Sequence, residues 1–362
     1  MKKIKIGVFF GGRSTEHEVT IWSAKSIVAN LDPDKYEILL IGIDKSGKFH
    51  FGKNEILKYI PKAEELFAED KFCKEFPKEL NEHLSEYIDV AFPVLHGYLG
   101  EDGAIQGFLK ILNIPFVGPN ILSSAACMDK EITKILLKAE GIPVADYITL
   151  HKPEVIQYEE VSQKLSDIVF VKPASSGSSV GVSKVRNESE LLAAIDEAYK
   201  YDNKVLIEKA VQGREIECAV IGNENPKTSD ICGEIIALDD FYTYEAKYID
   251  ENGAKLEIPA KLSPETLEKV KATALKAFKT LNCEGMCRVD MFVSGSDVIV
   301  NEMNTIPGFV GGTSMYPLLL QKSGLSYPEL IDKLIELAIA RQERDSKLET
   351  SKNDKVKLGI AS

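Results

Sequence analysis

Lys3-Ile4-Lys5-Ile6-Gly7-Val8-Phe9-Phe10, running into Gly11-Gly12-Arg13-Ser14-Thr15-Glu16-His17-Glu18-Val19, decides the class of fold at the front of this chain. The first part is an apolar run of strand length. The glycines break it, and Val19 to Leu31 then carries apolar residues at helical spacing, so the segment reads strand, loop, helix. Tyr36 to Ile43 is a second apolar strand. Ile88 to Leu95 is a third, ending in His96-Gly97 and followed by Gly100-Glu101-Asp102-Gly103 and a helix through Lys110. Strands alternating with helices predict a parallel sheet with ligand loops at the carboxyl ends of its strands. Asp44 to Tyr87 is mixed and rich in Lys and Glu, without an assignable pattern.

Beyond this the texture changes. Pro115 to Pro119 reads as a linker, and Asp129 to Glu140 as a helix capped by Asp129 and stopped by Gly141 and Pro143. Short strands follow at Val169 to Pro173, Val180 to Val185, Lys204 to Val211, Glu215 to Gly222, Cys287 to Val293 and Val298 to Met303. Helices at Glu188 to Lys200 and Pro264 to Asn282 lie between them. The fold class is therefore α/β followed by α+β. Pro328 to Arg341 closes the fold as an amphipathic helix, and the chain from Gln342 onward reads as a polar, mobile tail.

At 362 residues there is chain enough for two or three domains. No apolar run approaches the roughly 20 residues of a spanning helix, and Gly11-Gly12-Arg13 interrupts any signal-peptide core, so a cytoplasmic location is expected without a membrane partner. The net charge of -12 argues against a nucleic-acid partner, whose phosphates call for clustered Lys and Arg. The six cysteines are scattered without zinc-ligand spacing and read as reduced core residues.

Two strands carry the sharpest chemistry. In Arg288-Val289-Asp290-Met291 the alternation of a strand puts Arg288 and Asp290 on one face, and in Asn301-Glu302-Met303-Asn304 it does the same for Glu302 and Asn304. Paired as a hairpin, they bring two carboxylates and an amide beside an arginine, an oxygen set suited to Mg²⁺ held together with phosphates. Either strand alone would read as a solvated polar face. Lys172-Pro173-Ala174-Ser175-Ser176-Gly177-Ser178-Ser179-Val180-Gly181 offers exposed N–H groups and hydroxyls between two strands, an anion-binding loop that is not a Walker A sequence. Taken alone it would read as a flexible hairpin loop. Lys130 at a helix start and Glu208-Lys209 at a strand end add a second lysine and an acidic edge for a nucleotide.

In this order, Gly11 to Val19, Leu95-His96-Gly97 with Gly100 to Gly103, Met128-Asp129-Lys130, Lys172 to Gly181, Glu245-Ala246-Lys247-Tyr248, Arg288-Val289-Asp290 and Asn301 to Gly308 resemble the motifs of the D-alanine–D-alanine ligases, over residues 1 to about 340. The resemblance implies an amino-terminal parallel-sheet α/β domain (1–118) followed by a two-part ATP-grasp fold (119–212 and 213–345) and a polar tail (346–362). It implies two D-alanine substrates joined through a D-alanyl phosphate for peptidoglycan precursors, ATP with two Mg²⁺ (or Mn²⁺), and a homodimer formed through the amino-terminal domain.

The same resemblance assigns roles to residues. Lys130, Lys172 and Lys247 would contact ATP phosphates, and Glu208, Lys209, Val211 and Glu215 the adenine and ribose. Asp290, Glu302 and Asn304 would hold the metal ions. Glu16 would take the ammonium of the first D-alanine, with His96 near its carboxylate, and Glu16, Ser178 and Tyr248 would form a hydrogen-bonded set closing the site. Arg288 and the Gly308 N–H would stabilise the oxyanion, and Ser314, beside Met315, would bind the second carboxylate. By itself, Glu16 is also an ordinary acidic residue in a first helical turn, His96 a packed histidine and Tyr248 an unremarked aromatic.

One departure stands out. Gly308 to Pro317 is one residue longer than the family's usual run, with glycines at 311 and 312. Competing readings are a sister ligase making D-alanyl-D-lactate or D-alanyl-D-serine, a non-catalytic nucleotide-binding regulator, and a Rossmann oxidoreductase. Tyr248 after Glu245-Ala246-Lys247, and Ser314-Met315 rather than Ser-Arg, favour D-alanine as second substrate. The regulator would lack Arg288, Asp290, Glu302 or Asn304, all present, and the oxidoreductase would need a G-x-G-x-x-G after a strand.

Overall fold

The opening strand, loop and helix form as their pattern requires in the computed structural model, which describes residues 2–53, 80–237 and 254–349. Strand β1 (Ile4–Gly11) pairs in parallel with β2 (Tyr36–Ile43) on one side and β4 (Val90–Pro93) on the other, while β3 (Phe49–Lys53) adds an antiparallel edge. Helix α1 (His17–Asn30) packs on this sheet and carries Glu16 at its N-cap. The expected third strand is shorter than its apolar run, although Val94 N still donates to the Phe9 carbonyl at 2.8 Å. Helices α2 (Leu80–Tyr87) and α3 (Ala104–Ile111) flank β4 in sequence.

Pro115 to Pro119 corrects the linker expectation. Ala91 N donates to Pro115 O at 2.8 Å and Val117 N to Ala91 O at 2.9 Å, so the segment joins the sheet beside β4, with Phe116 and Val117 buried. The prolines that suggested a linker do not occupy a donor position, because Pro115 contributes only a carbonyl. Buried Arg341 donates to the Gly118 and Phe116 carbonyls, both at 2.6 Å, satisfying acceptors that have left the ladder.

Helix α4 (Ile121–Met128) leads into α5 (Lys130–Ala139), whose N-cap Asp129 accepts from Glu131 N and Ile132 N as its sequence predicts. The central sheet is antiparallel in the order β5 (Tyr147–His151), β8 (Lys204–Lys209), β6 (Val169–Pro173), β7 (Ser183–Val185), with α6 (Tyr158–Lys164) and α7 (Glu188–Ala198) in its connections. Strand β7 begins three residues later than expected, because Gly181, inside the expected span, takes a left-handed backbone angle (φ 70°) that interrupts a strand.

The last sheet runs β12 (Ala254–Glu257), β11 (Gly233–Ala237), β9 (Arg214–Gly222), β13 (Gly285–Ser294), β14 (Asp297–Asn304), all antiparallel, with β10 (Lys227–Thr228) paired to β9. Helix α8 (Pro264–Thr280) is capped by Ser263. Helices α9 (Met315–Lys322) and α10 (Tyr327–Asp345) end the described chain. The helix expected to stop at Arg341 continues to Asp345, held by Arg344 donating to Glu284 at 2.6 Å, so the polar run from Gln342 begins as helix rather than tail. Residues 350–362 lie outside the described residues.

The front sheet and the chain's end share one core. Ile6, Val8, Phe10 and Phe92 pack with Phe309, Tyr316, Leu330 and Leu334, and the Phe309 ring centroid lies 5.9 Å from Phe92 and 5.7 Å from Tyr327. The loop that precedes α9 is thereby anchored against the amino-terminal sheet. The cysteines at 127, 218, 232, 283 and 287 are buried and unpaired, and Cys73 lies outside the described residues. No helix among the described residues is long and apolar enough to cross a membrane.

Candidate active site

Antiparallel register builds the charged floor of the site. Strands β13 and β14 are joined through Gly295 and Ser296, with Ser294 opposite Asp297 and Met291 opposite Val300, and a bulge at Asn301 then shifts the register by one residue so that Asp290 stands opposite Glu302 and Arg288 opposite Asn304. On the other side of β13, Asp290 faces Glu217 of β9. Arg288 grips Asp290 with two hydrogen bonds of 2.7 Å, Nε to Oδ1 and Nη2 to Oδ2, and its Nε is 3.1 Å from a Glu217 oxygen. Asn304 Nδ2 donates to Asp290 Oδ2 at 2.9 Å. Burial opposes the charge on Arg288, but Asp290 and Glu217 outweigh it and hold the guanidinium well above its ordinary pKa.

Glu217, Asp290 and Glu302 thus gather around Arg288, with Lys130 also within electrostatic reach of Glu302. The oxygen donors of Asp290, Glu302 and Asn304 are of the kind that suits a hard divalent ion keeping phosphate oxygens and water in its shell. Among the described residues no three His, Cys, Asp or Glu side chains are grouped so that they could hold a metal ion.

Above this floor the amino-terminal and central parts meet. Ser178 donates its hydroxyl to Glu16 Oε1. The other Glu16 oxygen is boxed by glycines, since a Cβ at Gly97 would lie 2.8 Å from Oε2 and one at Gly177 2.9 Å. Glu16 is buried at the N-cap of α1, where its charge also faces the positive end of the helix.

Glu16, His96, Ser178, Arg288, Glu302, Asn304, Gly308, Ser314 and Met315, all proposed from sequence, line one cavity of about 360 Å³. Ser314 Oγ accepts from Val310 N at 2.9 Å and keeps its proton to donate, while Met315 is mostly core. The longer run is absorbed in a turn in which Thr313 N and Ser314 N both reach the Val310 carbonyl and Gly312 adopts φ 83°. His96 is occupied at both ring nitrogens, Nδ1 by the Ile306 carbonyl at 2.9 Å and Nε2 by Ser23 Oγ at 3.0 Å.

The cations proposed for phosphates lie behind the serine-rich loop. Lys130 donates to the Ser176 carbonyl at 2.6 Å, and its backbone N to Ala174 O at 3.0 Å, so α5 begins against that loop. Lys172 is 2.7 Å from Glu208 Oε2, and Lys134, one turn after Lys130, is 3.1 Å from Glu208 Oε1. Burial lowers the pKa of Lys130 and brings Lys134 down to about 8; burial also works against the Glu208 charge, but the two lysines hold its carboxyl below the ordinary range. Lys209 is exposed, and Val211 and Glu215 are half-buried; none of the three reaches the cavity. Lys247 and Tyr248 lie outside the described residues.

Sequence reasoning passed over Glu101, Ser23, Lys134 and Glu217. Glu101 stands in a quoted motif, and Glu217 sits two residues from Glu215 on an expected strand, so each had a local signal. The partners that give them meaning come from elsewhere in the chain. Glu101 accepts from Gly97 N at 2.8 Å and from Ile306 N at 3.0 Å.

Comparison with known proteins agrees with this geometry. Residues 5–119 match the family described as D-ala D-ala ligase N-terminus and residues 136–336 the one described as D-ala D-ala ligase C-terminus. The D-alanine–D-alanine ligase of Shouchella clausii is 48% identical, over 98% of this chain and 100% of the relative. Among solved structures, the D-alanine–D-alanine ligase of Coxiella burnetii is similar with a TM-score of 0.82 at 38% identity, covering 95% of this chain and 98% of that one. The VanG D-Ala:D-Ser ligase of Enterococcus faecalis is similar with a TM-score of 0.80 at 35% identity, covering 93% and 100%. With both halves matched nearly end to end and nine of the proposed residues lining one cavity, this chain belongs to the D-alanine–D-alanine ligase family and has its ATP-grasp fold.

Proposed function

We propose that this enzyme joins two D-alanine molecules into D-alanyl-D-alanine at the expense of ATP, through a D-alanyl phosphate, for peptidoglycan precursor synthesis. The observation that carries the reading is the single cavity in which the Glu16–Ser178 contact faces Arg288, Gly308 and Ser314. A carboxylate at one wall suits an ammonium, and a buried arginine with backbone N–H groups at the other suits a carboxylate that becomes a tetrahedral oxyanion.

A carboxylate is a poor electrophile, so it is first phosphorylated. Lys130 and Lys172, with Lys247, offset charge on the transferring phosphoryl group, and Glu208, Lys209, Val211 and Glu215 receive the nucleoside. Glu16 holds the first D-alanine by its ammonium while its carboxylate takes the γ-phosphoryl group and ADP leaves; the amine of the second D-alanine, once deprotonated, attacks the acyl carbon and phosphate departs. Arg288 and the Gly308 N–H hold the developing oxyanion, and Ser314 the second carboxylate. Ser178 closes over Glu16 with Tyr248, excluding water that would hydrolyse the acyl phosphate. Asp290, Glu302 and Asn304 would hold two Mg²⁺ or Mn²⁺, which when bound supply positive charge to the phosphoryl oxygens.

The same reading takes the chain as a cytoplasmic homodimer divided at residues 118, 212 and 345, and its support there is the family resemblance alone. The alternative, a D-alanyl-D-lactate or D-alanyl-D-serine product, is not favoured: among the solved structures the D-alanine–D-alanine ligase of Coxiella burnetii is similar at 38% identity and the VanG D-Ala:D-Ser ligase at 35%. Phosphate release and product analysis with equal D-alanine, D-lactate and D-serine at pH 8 decides between them. D-Alanyl-D-alanine is expected to dominate, and a majority of any other product would overturn the substrate assignment.

A further inference from the structure

His96 and Glu101 line the cavity, yet each commits one polar atom, Nδ1 and Oε1, to the Ile306 backbone at the start of the loop that carries Gly308. The Ile306 carbonyl can only accept, so His96 Nδ1, 2.9 Å away, must carry a proton. Burial lowers the His96 pKa, keeping the ring neutral and leaving Nε2 bare as an acceptor. Ser23 Oγ, 3.0 Å from Nε2, therefore donates to it, and the Ser23 oxygen accepts from Phe309 N at 3.3 Å.

The other side of the Ile306 peptide is held too. Its N–H donates to Glu101 Oε1 at 3.0 Å, while Glu101 Oε2 takes the Gly97 N–H at 2.8 Å. Each carboxylate oxygen thus serves one backbone donor. One turn further along α1, Ser26 Oγ accepts from Gly311 N at 2.8 Å. The peptides at 306, 309 and 311 are consequently fixed by side chains of the amino-terminal domain, and Pro307-Gly308 is bracketed between them.

We propose that Ser23, His96 and Glu101 are positioning residues for the oxyanion-stabilising peptide. Their directed hydrogen bonds to the Ile306 and Phe309 peptides set where the Gly308 N–H stands relative to Arg288. His96 then acts on the reaction through the loop rather than through the carboxylate of the first D-alanine, and the oxyanion site is complete only when the amino-terminal domain is docked on the loop. The inference rests on the ligase reading in one respect, that the Gly308 N–H serves the oxyanion.

The test is steady-state kinetics of Ser23→Ala, His96→Asn and Glu101→Gln in the full chain, with thermal unfolding of each. Glu101→Gln keeps the shape of the side chain but turns one acceptor into a donor. Losing an oxyanion donor outright costs about 10²- to 10³-fold in turnover. Displacing it is expected to lower kcat about 10-fold in each variant, with KM for ATP and for D-alanine within about twofold of wild type. Ser23→Ala/His96→Asn should be little worse than its poorer single variant, since both cut one chain of bonds. A rise in KM for the first D-alanine in His96→Asn, with kcat of Ser23→Ala and Glu101→Gln unchanged, would overturn the proposal and leave the ligase reading intact. Absence of D-alanine-dependent phosphate release by the wild-type protein would instead overturn the ligase reading and this proposal with it.

Discussion

Ser178, on the loop between the strands Val169–Pro173 and Ser183–Val185, donates its hydroxyl to the carboxylate of Glu16, 162 residues earlier in the chain. One hydrogen bond therefore ties the serine-rich loop to the first helix and roofs the cavity. A hydrogen bond to a charged group contributes about 1.5–3 kcal/mol, so Ser178→Ala should lower kcat/KM for D-alanine roughly 10- to 100-fold. Unchanged steady-state constants would show that the contact plays no part in closure.

The glycines around Glu16 make a separate expectation. Gly97 has φ 73°, and a Cβ there would press on Glu16 Oε2 at 2.8 Å. Gly97→Ala combines a left-handed backbone cost of about 1 kcal/mol with displacement of that carboxylate. The variant should melt lower than wild type and bind the first D-alanine more weakly, which calorimetry and substrate-saturation curves would register together. A rise in melting temperature would contradict the strain argument.

Arg288 stands between acids that are almost fully enclosed, with the Glu217 and Asp290 side chains each 2% exposed. Arg288→Met removes the cation and leaves both carboxylates without it, and breaking such a buried pair costs about 3–5 kcal/mol. The variant is expected to lose both stability in urea unfolding and at least about 100-fold in turnover. Turnover within a few-fold of wild type would mean that the arginine serves the fold alone.

Glu302→Ala is expected to abolish Mg²⁺-dependent ATP turnover with little change in melting temperature, because Glu302 is half-buried and the Arg288–Asp290 pair remains. Titration of Mg²⁺ against phosphate release measures this directly. Full activity at saturating Mg²⁺ would remove Glu302 from the metal site.

Lys134 supplies a pH-dependent test. Its burial lowers the folded-state pKa to about 8, against 10.5 ordinarily. Between those values the unfolded chain binds more protons than the folded one, so this group's contribution to stability improves as pH rises through the window and is least favourable below pH 8. The stability of wild type relative to Lys134→Met should therefore climb between pH 8 and 10, with a limiting slope of about 1.4 kcal/mol per pH unit. Parallel urea-unfolding curves across that range, giving a constant difference, would refute the shifted titration.

Much of the site could be read along the chain because its signals are local. Strand alternation puts Arg288 with Asp290 on one face and Glu302 with Asn304 on another, while the bulge that sets Asp290 opposite Glu302 left no mark in that alternation. Asp129 caps its helix through neighbours two and three residues away. Where the reading failed, the competing influence was distant: Pro115 to Pro119 looked like a linker until Ala91 supplied its hydrogen-bond partners, and the polar stretch after Arg341 stayed helical because Glu284 was there for Arg344.

By itself the sequence determined the strand-loop-helix opening, the strongly periodic strands and helices, the polar faces of the two strands at 288–304, and the set of motifs that names the family, because each depends on periodicity or on residues close in the chain. Only the tertiary structure decided that Glu217 joins Asp290 and Arg288, that Lys134 shares Glu208 with Lys172, and that His96 and Glu101 hold the Ile306 peptide, whose N–H meets a carboxylate 205 residues away. The last of these contacts exists because one core joins the first sheet to Phe309 and the last helices. Burial of that apolar surface brings the backbone polar groups of the loop out of water, and side chains of the amino-terminal domain then become the partners they require.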